Sequence, residues 1–490
     1  MKRLAIAVVA LALVLPAVAA GGARFTPDDP LAPKQWYLGA IHAFDFWPDA
    51  PPTLASVRVA VVDSGIDLDH PEFAGRISLQ QSFVGGDVTD KQGHGTFVAG
   101  IIAADADNGA GIAGIAFPAQ LLVAKVVRPD GTIPPAAEAK AIRWAADNGA
   151  RVINLSLGGL HDPPNPSRDT YSDVEQHAIE YAYAKGAVVV AAVGNADEAP
   201  STPWNHASYP AALPHVIGVS ALAPDGSVPA FSNRDKIYND LAAPGVGIVS
   251  TLPRSLTAGR PSCADQGYSI CGPPEFRAAD GTSYAAAEVS AAAALLIATR
   301  PSLSPDQVAW VLERSATDVS AASGCTACAL GRDSYSGWGE LDVEAALKAL
   351  AGPLPAPDRY ESNDQAGDQA FALYGRSNDI RASLDYWDDN VDVYRTHLHK
   401  GQTISVSVSG PAGTDTNLIL WRPGTQIVES PSGSLAGQVA IQAGRVTQSA
   451  HAGPNEHFLH RAARDGWYYV EVKLATQGAG QYRLHIAKSP

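Results

Sequence analysis

Apolar residues fall along this chain in two rhythms. Over residues 57–350, short apolar runs at 57–62, 121–127, 152–155, 188–193 and 216–219 alternate with stretches at 94–104, 136–148 and 173–185 whose spacing is helical. β-rich apolar runs of this length predict buried strands, and the stretches between them predict helices. Such strands belong to a mostly parallel sheet with helices on both faces, so the predicted fold class is α/β. In open α/β sheets the site forms at the carboxyl ends of the strands, and Asp63 stands where the first run stops.

The rhythm breaks at 351–357, Ala-Gly-Pro-Leu-Pro-Ala-Pro, where repeated prolines remove backbone donors and stiffen an extended linker. Beyond it the period becomes two: Ile404, Val406 and Val408 alternate with polar residues, as do Tyr468, Val470 and Val472, then Tyr482, Leu484 and Ile486. That alternation predicts a small all-β sandwich over 358–490, after a first domain over 21–350.

At the N-terminus, Lys2 and Arg3 precede an apolar run from Leu4 to Leu15, then Pro16 and Ala17-Val18-Ala19-Ala20. This is the pattern of a signal peptide over 1–20, cleaved after Ala19 or Ala20. The run is shorter than the roughly 20 residues of a bilayer span, so the expected product is a secreted chain with no membrane insertion after cleavage. Of 490 residues 46% are hydrophobic and 17% charged, ample for a large core plus a second domain. A net charge of −15 repels nucleic acid and anionic membranes, so neither is an expected partner, and a monomer is expected. Four cysteines suit an oxidising compartment, and their positions suggest two local bridges, Cys263 to Cys271 and Cys325 to Cys328. A redox or zinc half-site at 325–328 is the rival reading, but no second pair or histidine cluster in the sequence completes it.

Three glycine-rich segments supply chemistry in one chain order: Val61-Val62-Asp63-Ser64-Gly65, Gly93-His94-Gly95-Thr96, and Gly281-Thr282-Ser283-Tyr284-Ala285. A serine hydroxyl becomes a nucleophile when a base removes its proton, histidine does that near neutral pH, and a buried carboxylate fixes the imidazole tautomer. Each residue alone is a cap or surface group; their joint occurrence points to a hydrolase. These segments resemble the subtilisin-like serine peptidases. The resemblance spans about 28–350 and includes Asp29-Pro30-Leu31, Gln35-Trp36-Tyr37, Asn154-Leu155-Ser156-Leu157-Gly158-Gly159 and Val193-Gly194-Asn195.

The resemblance implies a catalytic triad of Asp63, His94 and Ser283 that cleaves internal peptide bonds of protein or peptide substrates, with no cofactor for catalysis. It makes the Asn195 side-chain amide and the Ser283 N–H the oxyanion hole, and Ser156, Leu157, Gly158 and Ala192, Val193, Gly194 the two walls of the specificity pocket, with Ser208 near its floor. Glu72 and Asn108 match positions similar to the family's calcium ligands, with Asp29 nearby, so the resemblance implies a candidate structural calcium site there, the other reading being surface groups that need no ion. Tyr284 and Ala287-Glu288 stand where the family commonly has Met and Pro with His, and no inhibitory pro-segment fits before residue 28. Met1, the only methionine, leaves with the signal peptide, so the mature enzyme is expected to lack the usual oxidisable neighbour of the nucleophile. The tail resembles the pre-peptidase C-terminal domain through Tyr360-Glu361-Ser362-Asn363-Asp364, residues 389–394, Gly401-Gln402-Thr403 and residues 466–470, which implies a role in secretion, substrate adhesion or stability. An esterase would place serine first in the chain, whereas here it comes last. A non-catalytic binding protein on the same scaffold is the second class, disfavoured by the intact Asp63, His94, Asn195 and Ser283.

Overall fold

The computed structural model describes residues 24–489 apart from 197–198, 258–275, 356–357, 388 and 430–440. Seven strands, β1 (Val57–Asp63), β2 (Ile77–Ser82), β3 (Ala119–Lys125), β4 (Val152–Leu155), β5 (Val188–Ala192), β6 (Val216–Leu222) and β7 (Leu241–Pro244), form one sheet in the order β2-β3-β1-β4-β5-β6-β7. Every neighbouring pair is parallel. Helices α1 (His94–Ala103), α2 (Pro135–Asp147), α3 (Asp173–Ala184) and α4 (Thr282–Thr299) supply the crossovers and the central support.

Successive strand residues point to opposite faces, so β1 divides its side chains between two cores. Val59 and Val61 pack with α1 and α4. Ala60 and Val62 pack with α2 and α3. The α/β class with helices on both faces is therefore the observed one. Two strands lie outside the expected set. β2 is mostly exposed at the sheet edge and β7 has four residues ending in proline, so neither carries a continuous apolar run. The second run, which forms β3, begins and ends two residues earlier than its apolar pattern, at Ala119–Lys125, where Lys125 pairs in parallel register with Asp63.

Helix α4 continues through Ala287 and Glu288, as the helix propensity of alanine predicts. Its cost is in the core: Glu288 is fully buried and neither carboxylate oxygen has a hydrogen-bond partner. Burial, with the charge of Glu340, holds this carboxyl well above its ordinary range. The folded chain keeps the proton that the unfolded chain loses above the ordinary glutamate pKa. Stability from this group is thus full below about pH 4.5 and declines as pH rises toward the folded value. Glu288→Leu is expected to raise stability by about 1–2 kcal/mol at pH 8 and by little at pH 4. Urea unfolding at both pH values checks this, and a gain that is larger at pH 4 contradicts it.

Beyond residue 370 the named elements among the described residues are strands, in a five-stranded and a four-stranded sheet. Their facing side chains, among them Ile404, Val406, Tyr482 and Leu484 from one and Tyr394, Leu418, Val470 and Val472 from the other, make one shared core. Cys325 and Cys328 form a disulfide, and Cys263 and Cys271 lie outside the described residues.

Candidate active site

The carboxyl edge of the sheet gathers the candidate residues. Asp63 ends β1, Ser156 follows β4, Asn195 follows β5, and His94 and Ser283 lie in the first turns of α1 and α4. Two glycines have conformations that side chains resist. Gly93 caps α1 at φ 95°, and Gly194 has φ 98° with Ser208 Oγ only 2.3 Å from where a Cβ would sit.

His94 Nδ1 lies 2.8 Å from Asp63 Oδ1 and 2.9 Å from Oδ2, so Nε2 is left for other partners. Burial lowers the His94 pKa, but the charge and hydrogen bond of Asp63, with the charge of Asp90, outweigh it and leave the imidazole above its ordinary value. Asp90, which the sequence reading passed over, organises this corner. Its buried carboxylate accepts from the Gln92, Gly93 and Thr96 N–H groups, from Thr96 Oγ1 and from Ser64 Oγ. Ser64 Oγ in turn accepts from Gly95 N, tying the end of β1 to the start of α1. An aspartate four residues ahead of a histidine that opens a helix was the available signal.

Ser283 Oγ donates to the Ser156 carbonyl at 3.1 Å rather than to His94. Engagement of the imidazole therefore needs a side-chain rotation, a looseness common in ligand-free sites. Its backbone is held from below: Ser156 Oγ donates to the Ser283 carbonyl at 2.7 Å and accepts from Asn154 Nδ2 at 2.9 Å, while Asn154 Oδ1 accepts from Ser290 Oγ at 2.9 Å. Asn195 Oδ1 accepts from Thr282 N at 2.9 Å and Thr282 Oγ1 at 2.8 Å, which fixes the amide orientation. Tyr284 packs on Phe97 with ring centroids 4.4 Å apart and lies 6.0 Å from the His94 ring.

A cavity of about 190 Å³ adjoins Ser283 and Asn195. Ser156, Leu157 and Gly158 line one side, Ala192 and Gly194 the other, and Ser208 and Asn233 close it. Val193 is not in the lining: its side chain is fully buried in the core, and its carbonyl accepts from Ser208 N and Asn233 Nδ2. Strand alternation accounts for this, since Ala192 and Gly194 face the cavity and the residue between them faces away.

The expected calcium residues cluster about the 105–112 loop. Asp29 accepts from Asp107 N at 2.8 Å and Asn108 N at 3.4 Å. Glu72 is buried with Oε2 unpartnered, and burial pushes its carboxyl up to about 8. These oxygens suit a hard cation. Asn108 Oδ1 is engaged by Ala110 N at 2.7 Å and would have to turn to join them.

A parallel α/β sheet whose carboxyl edge gathers a carboxylate, an imidazole and a serine belongs to the class of serine protease hydrolases. The chain itself belongs to the subtilase family, which residues 55–339 match. It is 35% identical over 296 residues to subtilisin DY of Bacillus licheniformis, covering 60% of this chain and 92% of that one. Thermitase of Thermoactinomyces vulgaris is 38% identical over 238 residues, 48% of this chain and 78% of its own. Among solved structures, sphericase superposes with a TM-score of 0.50 at 29% identity, covering 64% of this chain and 99% of that one.

Proposed function

We propose that this chain is a secreted endopeptidase that cleaves internal peptide bonds through an acyl-enzyme, with Asp63, His94 and Ser283 as its triad. The observation that carries the reading is the paired contact of Asp63 with His94 Nδ1, at 2.8 and 2.9 Å, beside the cavity that Ser283 and Asn195 share. It leaves Nε2 as the base. In the proposed cycle Ser283 Oγ rotates from the Ser156 carbonyl, gives its proton to His94 Nε2 and attacks the scissile carbonyl. Asn195 Nδ2 and the Ser283 N–H meet the developing oxyanion. His94 then protonates the leaving amine, and water, deprotonated by His94, releases the acyl group. A fluorophosphonate probe tests the reading: labelling and casein cleavage that both vanish in Ser283→Ala support it, and a wild-type chain inert to both refutes it.

Asn195→Ala is expected to lower kcat about 100- to 1,000-fold with KM little changed, a magnitude established within this family. The amide contributes only once charge has moved onto the carbonyl oxygen. Steady-state kinetics on a peptide amide checks the split, and a rise in KM at constant kcat would assign Asn195 to substrate binding instead.

Under the same reading Glu72, Asp29 and, after turning, Asn108 would hold a structural calcium through carboxylate and amide oxygens. Excess chelator is then expected to lower the melting temperature, and an unchanged midpoint removes calcium from the account. Export by the residue 1–20 segment, action as a monomer and a pre-peptidase C-terminal role for the β-sandwich complete the proposal. The period-two strands around one core support the last of these. Residue 20 or 21 as the N-terminus of enzyme recovered from culture medium would support export.

A further inference from the structure

His161, His206 and Asp235 lie outside the proposed catalytic set, and each offers a ligand atom within 4.8 Å of the others. His161 follows the Ser156–Leu160 cavity wall, His206 lies on the loop that carries Ser208, and Asp235 comes just after Asn233. His161 is 5% exposed, and neither ring nitrogen makes a hydrogen bond. Among the described histidines it alone has both nitrogens buried and unpartnered. A neutral imidazole always carries one N–H and one lone pair, so each tautomer strands a donor and an acceptor here.

The surroundings hold the ring without satisfying it. It packs on Tyr209 at 4.8 Å and edge-on to His206 at 5.6 Å between centroids, while Trp204 Nε1 donates to the His161 carbonyl at 3.1 Å. Asp235 is 7% exposed and fixed by backbone donors: Ala207 N to Oδ2 at 3.0 Å, and Ile237 N and Tyr238 N to Oδ1 at 2.8 and 3.1 Å. Backbone support of this kind is what ligating carboxylates have.

We propose that His161, His206 and Asp235 bind a zinc-class divalent ion behind the substrate cavity. Two imidazoles and one carboxylate form the borderline donor set zinc prefers, and three protein ligands leave the fourth tetrahedral position to water. A calcium ion would demand oxygens alone. Each ligand is one or two residues from a residue lining the cavity, Leu160, Ser208 or Asn233. The ion therefore braces the wall and floor of the pocket from behind.

The test uses the full chain carrying Ser283→Ala, which cannot digest itself and leaves all three ligands in place. After chelator treatment, zinc is titrated against a chromogenic competitor, and cobalt is followed by its visible absorption. One equivalent per chain, four-coordinate cobalt bands and a melting-temperature rise of roughly 5 °C at saturating zinc are expected. His206→Ala alters a partly exposed side chain and is expected to keep the fold while weakening zinc at least about 100-fold and abolishing the cobalt bands. Asp235→Asn is expected to weaken binding in the same direction. Undiminished binding in His206→Ala, or no uptake by the parent at about 100 µM zinc, overturns the proposal. Either result stands whether or not the chain proves to be a peptidase.

Discussion

Replacing Ser283 with alanine is expected to cut kcat about a million-fold, the size known for loss of this group from subtilisin itself, with KM little changed. Ser283 Oγ is the only atom of the proposed constellation that would form a bond to substrate, whereas the cavity walls proposed to hold the peptide remain. On the proposed reading the residual rate over water comes from substrate positioning and the Asn195 amide, a trace too slow to register as casein cleavage or self-digestion. Packing should be unaffected, because the backbone of Ser283 is held through Ser156 Oγ and its own carbonyl. Matched melting temperatures, lost fluorophosphonate labelling and single-turnover rates check this. Activity within tenfold of wild type would move the nucleophile elsewhere.

Asp63→Asn is expected to lower kcat about 10⁴-fold, the scale found for the equivalent change in serine proteases. Asp63 is 1% exposed, and both its oxygens reach His94 Nδ1. An amide there can donate to Nδ1 and so stabilise the tautomer with its proton on Nε2, which cannot accept the Ser283 proton. The change also has a pH signature. On the proposed reading only neutral His94 is a base, so kcat/KM in the wild type is expected to rise as pH passes through an imidazole pKa held above its ordinary value, chiefly by Asp63 against burial. Without the carboxylate, burial prevails and the acid limb moves to lower pH while the plateau falls. Profiles of kcat/KM against pH for both proteins check the sign, and a limb displaced upward contradicts it.

Much of the peptidase unit was legible because local pattern and global fold agree. β5 is an unbroken apolar run and β1 and β4 are interrupted only by Arg58 and Asn154 before their ends, all largely buried, and the glycine-rich turns after or before them signal chain reversals at one sheet edge. What was missed lacked a periodic signal of that kind. β2, Ile-Ser-Leu-Gln-Gln-Ser, is an edge strand whose identity comes from pairing with β3. The pairing of Asp90 with Ser64 spans separate elements, as does that of Asn233 with Val193.

From its residues alone the chain determined the α/β class, the all-β tail, the chain order of acid, base and hydroxyl, and the flanking glycines, since periodicity and motif chemistry are local properties. Tertiary structure decided what depends on atoms distant in sequence. It turned Ser283 Oγ toward the Ser156 carbonyl, sent Val193 into the core, buried Glu288 without a partner, and brought His161 and His206 to Asp235. Burial and hydrogen-bond satisfaction belong to the packed assembly, and no stretch of chain specifies them by itself.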